Sequence, residues 1–316
     1  MRICFMGTPD FGVKSLDRLI QEKFDVCAVI TQPDRPAGRG KKLQPSPVKA
    51  LAQEHGILVL QFERVRSPEA IDALRALAPD VCVTAAFGQI LSKEFLSIPP
   101  LGVINVHGSL LPRYRGPAPI QWAVINGETV TGITTMYTDT GVDTGDILLQ
   151  RPLEIGPDET AGELFGRMAA LGADVLTESL FLLQSGRAPR KPQNHAQSTH
   201  FPMIKKEMAR VDWKRGAKAI CDLVRGMHPW PLAYTACVKT DIKLHRVRAA
   251  EGSGHPGEVL SAHPKKGLFV AAGQGAVEIL ELQAPGSKRM DASSYLLGHA
   301  IQEGIILGGE ADDAGN

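Results

Sequence analysis

The sequence predicts an α/β protein with a doubly wound, Rossmann-like parallel sheet and a second, smaller β-barrel domain of the OB-like type. Three observations support this fold class. The 316 residues exceed the usual size of one domain, short β-branched runs alternate with helical patterns over the first two thirds of the chain, and closely spaced short strands follow beyond them. With 43% apolar and 22% charged residues, the composition is that of a globular protein.

Strands and helices alternate in the first part of the chain, which predicts a parallel sheet covered on both faces. Strands are expected at 2–6, 26–31, 80–86 and 103–106. Helices are expected at 12–21, 47–54, 68–77 and 160–183. The last of these begins at a capping residue, Thr160, and ends at Ser185 and Gly186.

The pattern changes after this helix. Residues 186–201 are rich in Pro, basic and small polar residues and lack a hydrophobic period, which indicates a linker. One helix near 216–225 and short strands with Gly and Pro turns are expected beyond it. The predicted division is a first domain at 1–204, a β-barrel domain at 205–310 and a solvated tail at 311–316.

Composition excludes several classes of protein and site. A formal net charge of +1 provides no global field for nucleic acid or membrane, so such a partner needs a local basic patch. No apolar stretch approaches the roughly 20 residues of a membrane helix, and a cytoplasmic location is expected. Five scattered cysteines without a C-x-x-C pair predict neither disulfides nor a metal site.

Polar residues with catalytic potential lie at the carboxyl end of the strand at 103–106. Alternation along the strand sends Asn105 and His107 to the same side, at the carboxyl end where open α/β sheets bind ligands. Such a pair suits acyl transfer, because Asn can donate a hydrogen bond to an oxyanion and His can also carry a proton. Asp143, in T-G-V-D-T-G-D, can orient His107 or accept its proton, and Asp146 is a rival carboxylate.

The segment S-L-L-P-R-Y-R-G-P-A-P-I-Q-W, residues 109–122, forms a rigid loop with three prolines that leads into a helix. Such a loop can form one wall of a pocket for a flat ligand.

Together, N-V-H-G-S-L-L-P-R-Y-R-G-P-A-P-I-Q-W and G-V-D-T-G-D resemble the catalytic core of the folate-dependent formyltransferases, which use 10-formyltetrahydrofolate. The resemblance implies that Asn105, His107 and Asp143 are catalytic, and that a neutral amine attacks the formyl carbon directly. Neither a metal nor a covalent enzyme intermediate is implied. The resemblance also places four residues against the folate: Ser109, Leu110, Leu111 and Pro112.

The amine that accepts the formyl group must be inferred from other segments. A basic loop at 31–49 favours a phosphate backbone, although a solvated surface loop has the same composition. Its basic residues are Arg35, Arg39, Lys41, Lys42 and Lys49. Almost the whole chain is similar to the branch of the family that acts on charged initiator methionyl-tRNA, except that Phe201 lies where that branch usually has a nearby tyrosine.

This similarity implies that the loop enters the acceptor stem and that the second domain also binds tRNA, in a monomeric enzyme. A basic track around the linker is a further hypothesis, formed by Lys205, Lys206, Arg210, Lys214 and Arg215. Three alternatives compete: formylation of a UDP-4-amino sugar, an RNA-binding module with a silent α/β domain, and hydrolysis of the folate to formate.

Overall fold

The computed structural model describes residues 1–37, 42–237 and 240–308. Its strands are β1 (Arg2–Gly7), β2 (Asp25–Thr31), β3 (Arg35–Ala37), β4 (Lys42–Gln44), β5 (Val59–Gln61), β6 (Val81–Ala85), β7 (Val103–His107), β8 (Val130–Tyr137), β9 (Ile147–Glu154), β10 (Ala233–Cys237), β11 (Thr240–Ala250), β12 (Val259–His263), β13 (Gly267–Ala271), β14 (Ala276–Gln283) and β15 (Met290–Asp291). Its helices are α1 (Asp10–Gln21), α2 (Pro47–Glu54), α3 (Pro68–Leu77), α4 (Lys93–Leu96), α5 (Pro119–Ile125), α6 (Ala161–Gln184), α7 (Ala217–Gly226) and α8 (Ala292–Gly298).

The chain forms two compact units. The first contains residues 1–119, 130–154 and 165–202, and the second contains 120–129, 155–164 and the chain from 203 onward. Two segments that the sequence assigned to the first domain therefore group with the second unit. The predicted boundary near residue 205 stays a prediction, and the tail at 311–316 lies outside the described residues.

The first unit is built on a seven-stranded sheet with the order β5-β2-β1-β6-β7-β8-β9. All neighbours from β5 to β7 are parallel, which confirms the α/β class and its parallel sheet. The sequence did not predict that β8 and β9 add in antiparallel orientation. The connection between β8 and β9, residues 138–146, is shorter than the dozen or so residues of a parallel crossover, so it permits only an antiparallel pair.

Helices cover both faces of this sheet. One face buries Cys4, Met6 and Cys82 against Ile71 of α3 and Phe95 of α4. On the other face α6 comes close to the strands at Gly172, where an added Cβ would lie 3.1 Å from the Val106 side chain. Hydroxyl caps start α2 and α3, since Ser46 accepts a bond from the Lys49 N–H and Ser67 from the Ala70 N–H.

The second unit contains a six-stranded antiparallel sheet. Its order is β10-β11-β14-β13-β12, with β15 paired to β14. Among the described residues the end strands β10 and β12 do not pair, so the sheet does not close into the barrel that the sequence predicts. Buried Trp213 anchors this unit by donating from its indole N–H to the Thr235 hydroxyl at 2.9 Å. None of the described helices is long and apolar enough to cross a membrane.

Candidate active site

Asn105 lies on β7, beside Thr84 of the neighbouring strand β6. The Thr84 hydroxyl donates to the Asn105 side-chain oxygen at 2.8 Å. Because the carboxamide oxygen is held in this way, its two N–H groups face away from Thr84, and no described residue accepts from them. Asn105 therefore presents a fixed, unused hydrogen-bond donor at the carboxyl end of the sheet.

His107 ends the same strand and is 6% exposed. Its Nε2 lies 2.9 Å from the Tyr114 carbonyl oxygen, and since a carbonyl can only accept, this nitrogen carries a proton. The other ring nitrogen, Nδ1, lies 3.6 Å from Oδ1 of Asp143. This separation is longer than a hydrogen bond, and a small shift of either side chain would bring the two groups into direct contact.

Asp143 occupies a strained backbone position on the turn before β9, with φ at +53°. Its second oxygen, Oδ2, accepts from the Gly116 N–H at 2.8 Å, which leaves Oδ1 for His107. Asp146 forms no side-chain hydrogen bond or ion pair among the described residues. The structure thus ranks the two carboxylates that the sequence left open, and Asp143 is the one that lies at His107.

Residues 191–201, here called the strap, run along the loop after β7 and the turn before β9. Lys191 pairs with Ile147 in a β-bridge, and the Arg115 N–H donates to the Thr199 carbonyl at 2.9 Å. The Phe201 N–H donates back to the Arg115 carbonyl at 3.0 Å. The sequence predicted a linker here, but these bonds make the strap a structured part of the first unit.

Two strap-associated residues, Arg115 and Gln193, were not singled out by the sequence. Arg115 is 3% exposed and Gln193 is 7% exposed. Gln193 donates to the Asp143 and Gly145 carbonyls, at 2.9 and 2.7 Å. The polar composition of 186–201 gave no signal for this contact, because it depends on the tertiary position of the strap.

The four residues predicted to lie against folate differ in exposure. Ser109 is fully buried and donates to the Arg113 carbonyl, and Leu111 is packed with Met136 and Ile147. Leu110 and Pro112 are partly exposed. Only the last two therefore offer side-chain surface to a ligand.

The predicted basic loop contains a small antiparallel hairpin of β3 and β4. Arg35 forms an exposed ion pair with Glu63 at 2.7 Å. Lys49 donates to Asp34 at 2.6 Å and to Gln61 at 2.8 Å. The bond from Lys49, followed by one from Gln61, lowers the pKa of Asp34. Lys42 begins β4, and Arg39 and Lys41 lie outside the described residues.

The basic residues around the predicted boundary lie in the second unit and are all exposed: Lys205, Lys206, Arg210, Lys214 and Arg215. Arg210 donates to the Gly308 carbonyl at 3.0 Å. In the part of the chain that the structure describes, no cluster of three or more His, Cys, Asp or Glu side chains could hold a metal ion.

This geometry suits the transfer of an acyl group to an amine. Asn105 can supply a donor to an oxyanion, and buried His107 with partly buried Asp143 forms a pair that can move a proton. Residues 1–180 match the formyl transferase family, and residues 203–300 match the C-terminal domain of formyl transferase. The chain belongs to the formyl transferase family.

Curated relatives in this family extend over almost the whole chain. A protein of Geotalea daltonii named methionyl-tRNA formyltransferase is 51% identical over 308 residues, 98% of each chain. Another of that name, from Acetivibrio thermocellus, is 49% identical over 311 residues, covering 98% of this chain and 100% of the relative.

Solved structures share the fold of this formyl transferase at low identity. HypX from Aquifex aeolicus in complex with tetrahydrofolic acid has a TM-score of 0.61 and 19% identity, over 94% of this chain and 47% of that one. An N-formyltransferase from Helicobacter canadensis, in complex with folinic acid and dTDP-3-aminofucose, has a TM-score of 0.66 and 18% identity, over 90% of this chain and 99% of that one.

Proposed function

We propose that the protein transfers the formyl group of 10-formyltetrahydrofolate to the α-amino group of methionyl-tRNA, producing the N-formylmethionyl-tRNA used in translation initiation. The observation that carries this proposal is the unused Asn105 amide on the same strand as His107, whose ring faces Asp143. The relatives named methionyl-tRNA formyltransferase, which match along almost the whole chain, support the choice of acceptor.

Asn105 is the oxyanion donor in this mechanism. When the amine adds to the formyl carbon, negative charge develops on the formyl oxygen, and a donor that is already oriented stabilises it without reorganisation. Thr84 provides that orientation by holding the opposite end of the carboxamide. The Asn105 amide stabilises the transition state more than the bound substrate. The neutral formyl oxygen of the substrate accepts a hydrogen bond less strongly than the developing oxyanion does.

His107 and Asp143 manage the proton of the attacking amine. A new bond forms between the amine nitrogen and the formyl carbon, the bond from that carbon to the folate nitrogen breaks, and one proton passes from the amine to the leaving nitrogen. The Tyr114 carbonyl holds His107 at Nε2 and the Gly116 N–H holds Asp143 at Oδ2. Both groups are therefore oriented before substrate binds, which favours proton transfer at a defined position.

The surfaces available near this pair fit a folate. Bound 10-formyltetrahydrofolate supplies an activated formyl group, and its flat ring needs apolar walls. Leu110 and Pro112 are partly exposed, and Val142, next to Asp143, is 55% exposed. Buried Ser109 and Leu111 shape the loop from within.

The basic hairpin and the second unit bind the tRNA in this proposal. The basic residues of this loop suit the phosphate backbone, with Arg35, Arg39, Lys41, Lys42 and Lys49 as the contacts. The antiparallel sheet of the second unit offers a further nucleic-acid surface, together with the exposed basic residues at 205–215. The enzyme acts in the cytoplasm as a monomer, with residues 1–204 as its catalytic domain.

The test is formyl transfer from 10-formyltetrahydrofolate, with methionyl initiator tRNA, uncharged tRNA and a UDP-4-amino sugar as separate acceptors. Formylmethionyl-tRNA formed only from the charged tRNA is the expected result. A formylated sugar without formylmethionyl-tRNA would overturn the acceptor while preserving the chemistry. Formate release in the absence of any amine would instead identify a hydrolase.

A further inference from the structure

Three segments of the first unit meet behind the catalytic pair: the loop at 114–116, the turn at 143–145 and the strap at 191–201. The Tyr114 carbonyl holds His107, and the Gly116 N–H holds Asp143. The strap in turn holds Tyr114, since the Thr199 hydroxyl accepts from the Tyr114 N–H at 2.8 Å and the Phe201 ring stacks on the Tyr114 ring with 4.9 Å between centroids. The orientation of the pair thus depends in part on strap residues that do not touch it.

Gln193 is the one strap side chain that bonds to the Asp143 turn directly. Both hydrogens of its amide are used, one on the Asp143 carbonyl and one on the Gly145 carbonyl. Its oxygen accepts from Arg115 Nη2 at 2.6 Å. Gln193 makes all three bonds although it is only 7% exposed. A buried polar group that loses its hydrogen bond lowers the free energy of unfolding.

Arg115 decides which way the Gln193 amide points. A guanidinium has only N–H donors, so the atom of Gln193 that faces it must be the oxygen, and the NH₂ must face the two carbonyls. Within the described residues Arg115 has no carboxylate partner, and its Nη2 also contacts His195 Nδ1 at 3.1 Å. Because a buried guanidinium without a counter-charge has lost its hydration, the hydrogen bond to the Gln193 oxygen stabilises it and keeps this oxygen in place.

Gln193 acts on a backbone position that needs support. A residue other than glycine with φ near +53° persists only where its surroundings impose it. The two bonds from Gln193 hold the carbonyls at either end of the 143–145 turn, and this turn sets the direction of the Asp143 side chain. Loosening it would let Oδ1 move from its 3.6 Å separation from His107 Nδ1.

We propose that Gln193, oriented by Arg115, is a positioning residue that holds the Asp143 turn in register with His107. This inference rests on the proposed function, because it assigns Gln193 a part in the same reaction. Gln193 contacts neither substrate in this scheme, so its loss changes the chemical step rather than binding.

The experiment compares Gln193→Met with the wild-type chain and with Gln197→Met. Methionine is close in size to glutamine and lacks the two N–H donors. Gln197 lies on the same strap, is exposed and makes no side-chain hydrogen bond among the described residues, so it provides the matched control. Gln193→Glu is the second variant, because it retains an oxygen for Arg115 and replaces the two N–H donors with a carboxylate oxygen that the two carbonyls repel.

We expect Gln193→Met and Gln193→Glu to lower kcat about tenfold to a hundredfold, with KM for both substrates within about twofold of wild type. Gln197→Met should match wild type. The second readout is the ring ¹⁵N shifts of His107 in the substrate-free protein, assigned by their loss in His107→Asn. They should change in both Gln193 variants and stay constant in Gln197→Met.

Unchanged kcat and unchanged His107 ¹⁵N shifts in Gln193→Glu would overturn the positioning role. A rise in KM with constant kcat would also overturn it, since that result assigns Gln193 to binding. The proposed function fails separately: a wild-type chain that does not formylate methionyl-tRNA refutes it, and the ¹⁵N shifts then still test whether Gln193 positions His107 and Asp143.

Discussion

At the scale of single residues, Asn105 depends on a hydroxyl of the neighbouring strand. Thr84 is 6% exposed and donates to the Asn105 oxygen at 2.8 Å. A carboxamide has its acceptor at one end and its donors at the other, so this bond alone determines which end meets the substrate.

Thr84→Val is therefore expected to lower kcat about tenfold, the equivalent of one hydrogen bond, because the amide can then rotate. Asn105→Ala removes the donor itself and should lower kcat by about a hundredfold to a thousandfold. Steady-state kinetics with methionyl-tRNA and 10-formyltetrahydrofolate measure both effects.

Thr84→Ser is the matched control, since it retains the hydroxyl and should keep kcat near the wild-type value. The orienting role of Thr84 is wrong if Thr84→Val is as fast as wild type.

Residue placement could be predicted where it follows from strand alternation. Asn105 and His107 lie two apart on β7, so their common side followed from the sequence. The partners could not be predicted, because Thr84 meets Asn105 through the register of β6 against β7. The choice between Asp143 and Asp146 likewise depended on the path of a tight turn, which the sequence shows only as glycine-rich.

At the scale of elements, the strap and the loop at 114–116 fit closely around Gly116. Its φ is +110°, and an added Cβ would lie 2.4 Å from the Phe201 carbonyl oxygen. A side chain there would meet the backbone of the strap.

Gly116→Ala is expected to lower the free energy of unfolding by about 2 to 4 kcal/mol, through strain and displacement of the strap. Denaturant unfolding measures this change.

Gly166→Ala is the control for that substitution. Gly166 is an exposed residue of α6, and an added Cβ there meets nothing within 4 Å. Alanine should raise the stability by about 0.5 to 1 kcal/mol at this helical position. Equal effects of the two substitutions would contradict the packing of the strap described here.

Elements with local signals were predicted well, and elements made by tertiary contacts were not. Helices α2 and α3 begin at serine caps and were predicted with the bounds they have. The strap lacks any hydrophobic period, because it is held by Gln193, Thr199 and backbone bonds rather than by an apolar face. Strand β8 contains Gly132, a residue that weakens a strand pattern, although the close approach of the Arg151 carbonyl requires it.

At the scale of the whole molecule, a net charge of +1 leaves tRNA binding to local patches. The five predicted phosphate contacts are not equivalent in the part of the loop that is described. Lys49 is 15% exposed at its side chain and is already paired with Asp34 at 2.6 Å. A lysine that must leave a carboxylate to bind a phosphate releases fewer counterions than a cation that has no ion-pair partner.

We therefore expect Arg39→Gln and Lys41→Gln each to reduce the salt slope of tRNA binding by about one, and Lys49→Gln to reduce it by less. Binding titrations over a range of salt concentrations measure these slopes. A slope for Lys49→Gln as low as that for Arg39→Gln would show that Lys49 leaves Asp34 for phosphate.

The division into α/β and antiparallel units could be predicted because each has its own spacing of strands and helices. The open state of the second sheet among the described residues could not be predicted, since closure depends on pairing between β10 and β12 that no local pattern specifies. The placement of segments 120–129 and 155–164 in the second unit was also hidden, because each lies within the sequence of the first.

The role of Asp143 in formyl transfer is tested most directly by single-turnover rates with methionyl initiator tRNA. The rates are compared for wild type, Asp143→Asn and Asp146→Asn. Both substitutions change one carboxylate on the same turn, and only Asp143 lies at His107. We predict that Asp143→Asn slows transfer by about a hundredfold or more, while Asp146→Asn stays within about twofold of wild type. Equal rates for the two variants, or no formylmethionyl-tRNA from the wild-type chain, would contradict this role.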